Sequence, residues 1–176
     1  MQDVLVVVDM QNDFINGALG TPEAQSIVER VAARMQSFTG RVITTRDTHG
    51  PDYLTTQEGR NLPVEHCIRG TLGWQLHPLI QVQQREIPVD KTIFGSVALG
   101  QMLEIENERE PIRSITLVGL CTDICVISNA IILRAFLPEA EIIVDASLCA
   151  GATPLGHQTA LEAMKACQVR IITAGL

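Results

Sequence analysis

Ile115-Thr116-Leu117-Val118-Gly119-Leu120-Cys121-Thr122-Asp123-Ile124-Cys125 is the stretch on which the fold turns. Residues 115–119 form a short, almost wholly apolar run without alternating polar positions, the pattern of a strand buried on both faces. From 122 to about 136 the spacing becomes helical and nearly all apolar, which predicts a deeply packed helix. A buried strand passing directly into a helix is one βα unit of a parallel sheet.

Similar runs recur at 4–8, 42–45, 87–89, 142–144 and 169–172, with helical patterns between them. Thr21-Pro22-Glu23 supplies an N-cap, an N1 proline and an acidic first turn. Ala24, Ile27, Val28, Val31, Met35 and Phe38 follow at helical spacing. Residues 96–106 form another helix, and Thr153-Pro154 opens a last one with Ala160, Ala163, Met164 and Cys167 on its inner stripe. This alternation predicts an α/β fold: a three-layer, doubly wound, six-stranded parallel sheet with helices on both faces. No repeat, low-complexity tract or linker interrupts the chain, so 1–176 reads as a single domain. Residues 47–82 break the rhythm with Gly, Pro and polar residues and one helix-like piece at 73–82. A loop that long in a compact domain is usually functional.

Composition narrows the function classes. Of 176 residues, 46% are hydrophobic and 19% charged, which excludes wholesale disorder, while aromatics at 3% make the core aliphatic. Thirteen basic residues against 20 acidic ones give a net charge of −7 with no basic block, which argues against a nucleic-acid or anionic-membrane partner. No run approaches the ~18 apolar residues of a membrane span, and the N-terminus has no basic region ahead of a long apolar run. The cysteines at 67, 121, 125, 149 and 167 form an odd set without CxxC spacing, as expected of free thiols in a reducing cytoplasm.

Open parallel sheets bind ligands beyond the carboxyl ends of their strands. The successive runs end at Asp9, Asp47, Asp90-Lys91, Gly119 (with Cys125 soon after) and Asp145. Singly these residues have bland readings: Asp9 caps a turn, Lys91 is solvated, Cys125 is a small buried hydrophobe. A carboxylate, an ammonium and a thiol at three separate strand ends carry more weight together. Cys125 also falls in the first turn of its helix, where the N-terminus and a nearby lysine are expected to acidify a thiol. Asp123 reads as an acidic first-turn residue complementing the dipole. In the long loop, Asp47, His49, Glu58 and His66 offer two imidazoles and two carboxylates, a set that suits zinc, manganese or iron. Such residues are also common in loops without a metal.

Val8-Asp9-Met10-Gln11-Asn12-Asp13-Phe14, then Asp90-Lys91 with Phe94-Gly95-Ser96, then Gly119-Leu120-Cys121-Thr122-Asp123-Ile124-Cys125-Val126 resemble the isochorismatase-like cysteine hydrolases, and most of all their nicotinamidase branch. The likeness runs over essentially the whole chain in the right order. It implies a triad of Asp9, Lys91 and Cys125, a non-proline cis peptide at Leu120–Cys121, and an oxyanion hole built from the backbone N–H groups of Cys121 and Cys125. It also implies a substrate pocket touched by Phe14 and Leu120, and a divalent metal beside the triad. Asp47, His49 and His66 match three of the expected ligands. The middle histidine is missing, since that stretch reads Pro51-Asp52-Tyr53-Leu54, and Glu58 stands in for it as in some nicotinamidases. Leu62 occupies the place of a second pocket aromatic. No organic cofactor is implied, and relatives commonly self-associate, so a homo-oligomer is expected.

Three functions follow. The first is an amidase acting on a small carboxamide, with nicotinamide foremost. The second is a hydrolase of another small metabolite, whether an enol ether, which does not require the thiol, or a carbamoyl or ureido compound. The third is a binding module on the same fold, which does not require the triad. Trp74 either lines the pocket or anchors the short helix-like piece. His77, His157, Cys67, Cys149 and Cys167 read as structural.

Overall fold

The computed structural model describes residues 1–173. In chain order its elements are β1 (Gln2–Val8), α1 (Asn12–Ile15), α2 (Pro22–Ser37), β2 (Arg41–Asp47), a 3₁₀ turn (Tyr53–Thr55), α3 (Gln57–Asn61), α4 (Pro78–Gln81), β3 (Val89–Lys91), α5 (Val97–Arg109), β4 (Ile112–Leu120), a π turn (Thr122–Val126), α6 (Ile127–Phe136), β5 (Glu141–Ala150), α7 (Pro154–Ala166) and β6 (Arg170–Ile172). The strands form one six-stranded sheet in the order β3-β2-β1-β4-β5-β6, parallel at every pairing.

Burial on both faces explains the unbroken aliphatic runs. Along β1, Val4, Val6 and Val8 enter a core with Leu99, Leu103, Val126, Ala130, Leu133, Leu161 and Met164, from α5, the π turn, α6 and α7. Leu5 and Val7 enter the opposite core with Phe14, Ile27, Val31, Met35 and Ile80, from α1, α2 and α4. The predicted caps form, the hydroxyls of Thr21 and Thr153 accepting the N–H groups of Ala24 and Gly156, and Ser96, read as the first helical residue, instead caps α5 by accepting the Leu99 N–H.

Several boundaries differ from expectation. β3 is only three residues and begins at Val89, because Ile87 is 86% exposed and lies before the pairing with β2. β5 runs past Asp145 to Ala150, and Asp145 turns its carboxylate back onto the Ser147 N–H and hydroxyl at a shift in register. Asp145 is therefore not at the strand's carboxyl end. The loop at 47–82 holds α3 and α4, and only Pro78–Gln81 of the expected 73–82 piece is helical.

Two strand ends are shaped for the site. At the end of β4, Gly119 has φ of 112° and a Cβ there would lie 2.2 Å from the Val8 carbonyl oxygen, so only glycine lets β4 and β1 end this close together. The chain then passes through a cis peptide at Leu120–Cys121 into the π turn.

Candidate active site

Asp9, Lys91 and Cys125 meet at the carboxyl edge of β1, β3 and β4. All three are buried, Cys125 at 4% exposure. Lys91 Nζ lies 2.7 Å from Asp9 Oδ2 and 3.4 Å from Cys125 Sγ, and it donates to Asp47 Oδ1 and to the Ile93 carbonyl, each at 3.2 Å. Asp9 Oδ2 faces the Lys91 ammonium at this ion-pair distance. Its sister Oδ1 accepts the Thr45 hydroxyl at 2.6 Å, and the same hydroxyl oxygen accepts the Asp9 N–H at 3.2 Å. Thr45 thus holds one carboxylate oxygen and Lys91 the other.

The electrostatics correct one expectation. Burial pushes the Cys125 thiol well above its ordinary range, and the Asp9 charge adds to this while Lys91 opposes it. Helix-end acidification does not dominate, so the resting group is a thiol that needs a base. Burial also raises the Asp9 carboxyl, against the pull of Lys91. Lys91 is held above its usual range despite burial, by Asp9, Cys125 and Asp47, and stays an ammonium.

The π turn has a local consequence. The Cys121 carbonyl accepts the N–H groups of Ile124 at 3.1 Å and Val126 at 3.0 Å, stepping over that of Cys125. The wider winding leaves the Cys125 N–H beside its own thiol, and turns of this kind recur at functional sites. Asp123 is the acidic residue of the first turn, as read, and also accepts the Ala152 N–H at 2.9 Å, tying this turn to the chain ahead of α7.

Adjacent to the triad, Asp47, His49, Glu58 and His66 bring one ligand atom each within 4.8 Å of one another. His49 Nε2 is 2.9 Å from Asp47 Oδ2 and 3.6 Å from Glu58 Oε1; His66 Nε2 is 3.7 and 3.9 Å from the same two atoms. Four ligands bound tetrahedrally at ~2.0–2.2 Å stand roughly 3.3–3.6 Å apart, so the set fits a divalent ion with little rearrangement. His66 Nδ1 donates to the Val64 carbonyl at 2.8 Å, which fixes the tautomer and leaves Nε2 as an electron-pair donor. Tyr53 packs against both imidazoles, with ring centroids 4.7 Å from His49 and 5.0 Å from His66, and its hydroxyl donates to the Leu62 carbonyl. Despite burial, the hydrogen bond from His49 and the charge of Lys91 hold Asp47 far below the usual carboxylate range, whereas burial raises Glu58.

The residues around Phe14 position this pair of sites. Gln11 clamps the Asp47 backbone, donating to its carbonyl at 2.8 Å and accepting its N–H at 2.7 Å. Asn12 holds the Leu72 carbonyl and Asp13 the Cys67 N–H, fastening the long loop to the end of β1. Trp74 is an anchor: its indole N–H donates to Thr48 Oγ1 and its ring lies under Arg46 at 3.8 Å. His77 caps α4 through the Leu79 N–H, and His157 Nδ1 sits 2.7 Å from Thr122 Oγ1.

A small cavity of about 50 Å³ opens onto Cys125, Asp47 and His66, walled by Phe14, Leu19, Leu62, Phe94, Cys121 and Ile124. Phe14 lines it as expected. Leu120 does not: its side chain is fully buried in the core with Leu5, Val7 and Val118. Neighbouring side chains in β4 point to opposite faces, and the wall comes from Cys121 and Ile124 in the turn beyond. Phe94, on the loop between β3 and α5, was missed as a wall residue although its motif is legible. A loop residue's direction depends on a path that periodicity does not describe.

A sequence profile of the isochorismatase domain matches residues 3–175. An uncharacterised isochorismatase-family protein of Bacillus subtilis is 30% identical over 175 residues, covering 92% of this chain and 93% of its own length. The nicotinamidase/pyrazinamidase of Mycobacterium tuberculosis is 26% identical over 184 residues, covering 96% and 97%. Among solved structures, the pyrazinamidase of Pyrococcus horikoshii in complex with zinc aligns with a TM-score of 0.82 at 25% identity, over 99% of this chain and 100% of that one.

Proposed function

The chain belongs to the isochorismatase family, and from that premise we propose that it is a cysteine-dependent amidohydrolase cleaving a small carboxamide, nicotinamide first among candidates, to a carboxylic acid and ammonia. It is a hydrolase of C–N bonds, as the similarity to nicotinamidases supports. The observation that carries the reading is one ammonium 2.7 Å from a buried carboxylate oxygen and 3.4 Å from a buried sulfur, with the sulfur lining a small cavity.

The chemistry follows from these groups. The Asp9 carboxylate takes the Cys125 proton, and Lys91, close to both, stabilises the resulting thiolate. The sulfur attacks the amide carbon, and the N–H groups of Cys121 and Cys125 hold the developing oxyanion. Asp9 returns the proton to the departing nitrogen, ammonia leaves, and a thioester remains. Water, deprotonated by Asp9, then releases the acid and restores the thiol. The residues Asp47, His49, Glu58 and His66 would hold a divalent ion, zinc, manganese or iron, whose Lewis acidity would orient a donor atom of the substrate.

Ammonia release from nicotinamide and a panel of small amides tests the reading. Wild type is expected to turn over at least one of them, with Cys125→Ala reduced by about a thousandfold or more, on the order of a lost nucleophile. Substantial amide hydrolysis by Cys125→Ala would overturn it.

A further inference from the structure

Behind the pocket wall lies a fully buried amide that the mechanism does not use. Asn129 stands one helical turn beyond Cys125, in α6. Its Nδ2 donates to the Cys125 carbonyl at 2.8 Å and to the Phe94 carbonyl at 3.1 Å, and its Oδ1 accepts the Ser96 N–H at 3.0 Å. Phe94 walls the cavity, and the segment 94–96 is gripped at both ends by this one side chain. From the other side, Lys91 holds the Ile93 carbonyl. Phe94 itself is 38% exposed, so packing alone does little to fix where its ring stands.

We propose that Asn129 is a positioning and specificity-determining residue: by locking the backbone of residues 94–96 to the helix that follows Cys125, it sets the Phe94 ring at the height at which a flat aromatic carboxamide is gripped above the nucleophile. The inference rests on the amidase reading and names what selects its substrate. A polar side chain with three buried partners adds no reactive atom. It costs conformational freedom in the loop instead, so the ring is preorganised and less ordering is needed when substrate binds. The effect belongs to binding of the ring, and sulfur chemistry is left to Asp9 and Lys91.

Asn129→Ser separates these roles. A serine hydroxyl reaches the Cys125 carbonyl at i−4 along its own helix but not Phe94 or Ser96. The expected result is a KM for nicotinamide raised about tenfold with kcat within about threefold, the signature of lost substrate binding. The alkylation rate of Cys125 by iodoacetamide, which needs the thiol but not the ring wall, is expected to stay unchanged. An unchanged KM, a loss confined to kcat, or an alkylation rate that falls in parallel would each overturn the assignment. If Asn129→Ser does not fold, Asn129→Thr, whose hydroxyl likewise reaches the Cys125 carbonyl but not Phe94 or Ser96, is read by the same criteria. Wild type that releases no ammonia sinks the amidase reading and this assignment together, whereas an active wild type beside an unaltered variant sinks the assignment alone.

Discussion

Asp9 sits where β1 ends with φ of 46°, a left-handed backbone conformation that costs a residue with a side chain about 1–2 kcal/mol. Non-glycine residues keep such angles mainly where the surroundings enforce them, often at functional sites. Here the bend accompanies a carboxylate buried against Lys91 and Thr45. Its consequence is measurable in the pH profile. Burial outweighs the ammonium and raises the Asp9 carboxyl above its ordinary 3.8. The base must be ionised to work, so kcat/KM rises with pH through that raised value. Lys91 is held above its ordinary 10.5, so no alkaline loss from the ammonium is expected below about pH 10. A profile whose acid limb falls at or below 3.8, or that declines near neutrality, contradicts the assignment of these roles. Asp9, Lys91 and Cys125 were legible because each closes or follows an apolar run, and strand ends of a parallel sheet converge by topology. Thr45 was not, since one hydroxyl in a buried run looks like any other until the register of β2 against β1 is known. The thiol's environment was misread because a helix start is visible in sequence and the depth of burial is not.

At the level of elements, the N-caps were the most reliable signal, because a cap is a contact between residues three apart and needs no tertiary knowledge. Thr21 opens the 16-residue α2, whose buried stripe of Ala24, Ile27, Val28, Val31 and Met35 covers one sheet face. Thr21→Ala is expected to lower stability by about 1 kcal/mol and to leave kcat/KM unchanged, because the lost bond is at the helix end and not at the site. Chemical denaturation with parallel kinetics checks both halves, and an unaltered midpoint would show the cap to be idle. The tail of β5 was hidden for the opposite reason. Asp145 and Ser147 read as a break in an apolar run, yet they satisfy each other while the strand continues alongside Gly119 and Leu120. The π turn was equally invisible: residues 122–136 show one helical pattern, and the extra residue of the turn appears only in which N–H reaches the Cys121 carbonyl.

Across the whole molecule, the parallel sheet and the two-sided core follow from the alternation of runs, but the strand order and the path of 47–82 do not. Its four polar residues come together where Gln11, Asn12 and Asp13 fasten the loop at Asp47, Leu72 and Cys67 and Tyr53 packs against both imidazoles. Charge then makes the case for a cation. Among the described residues Asp9, Asp47 and Glu58 face one ammonium, Lys91, in a largely buried region, and burial already raises Glu58. A dication would offset the excess negative charge and use the Nε2 electron pair that the Val64 carbonyl holds ready on His66. Such an ion binds the folded chain and not the unfolded one, so it stabilises by about 2.7 kcal/mol at a hundredfold excess over Kd. For a chain of this length that corresponds to roughly 5–10 °C in Tm. Thermal denaturation of chelated protein against protein refilled with zinc, manganese or iron is therefore expected to differ by that amount for the ion that fits. Asp47→Ala should abolish the difference, while Cys125→Ala should keep it, because the sulfur is not among the ligands. Equal melting temperatures with every metal, in protein that elemental analysis shows to be metal-free after refilling, would mean that the four residues hold the loop to the sheet by hydrogen bonds alone.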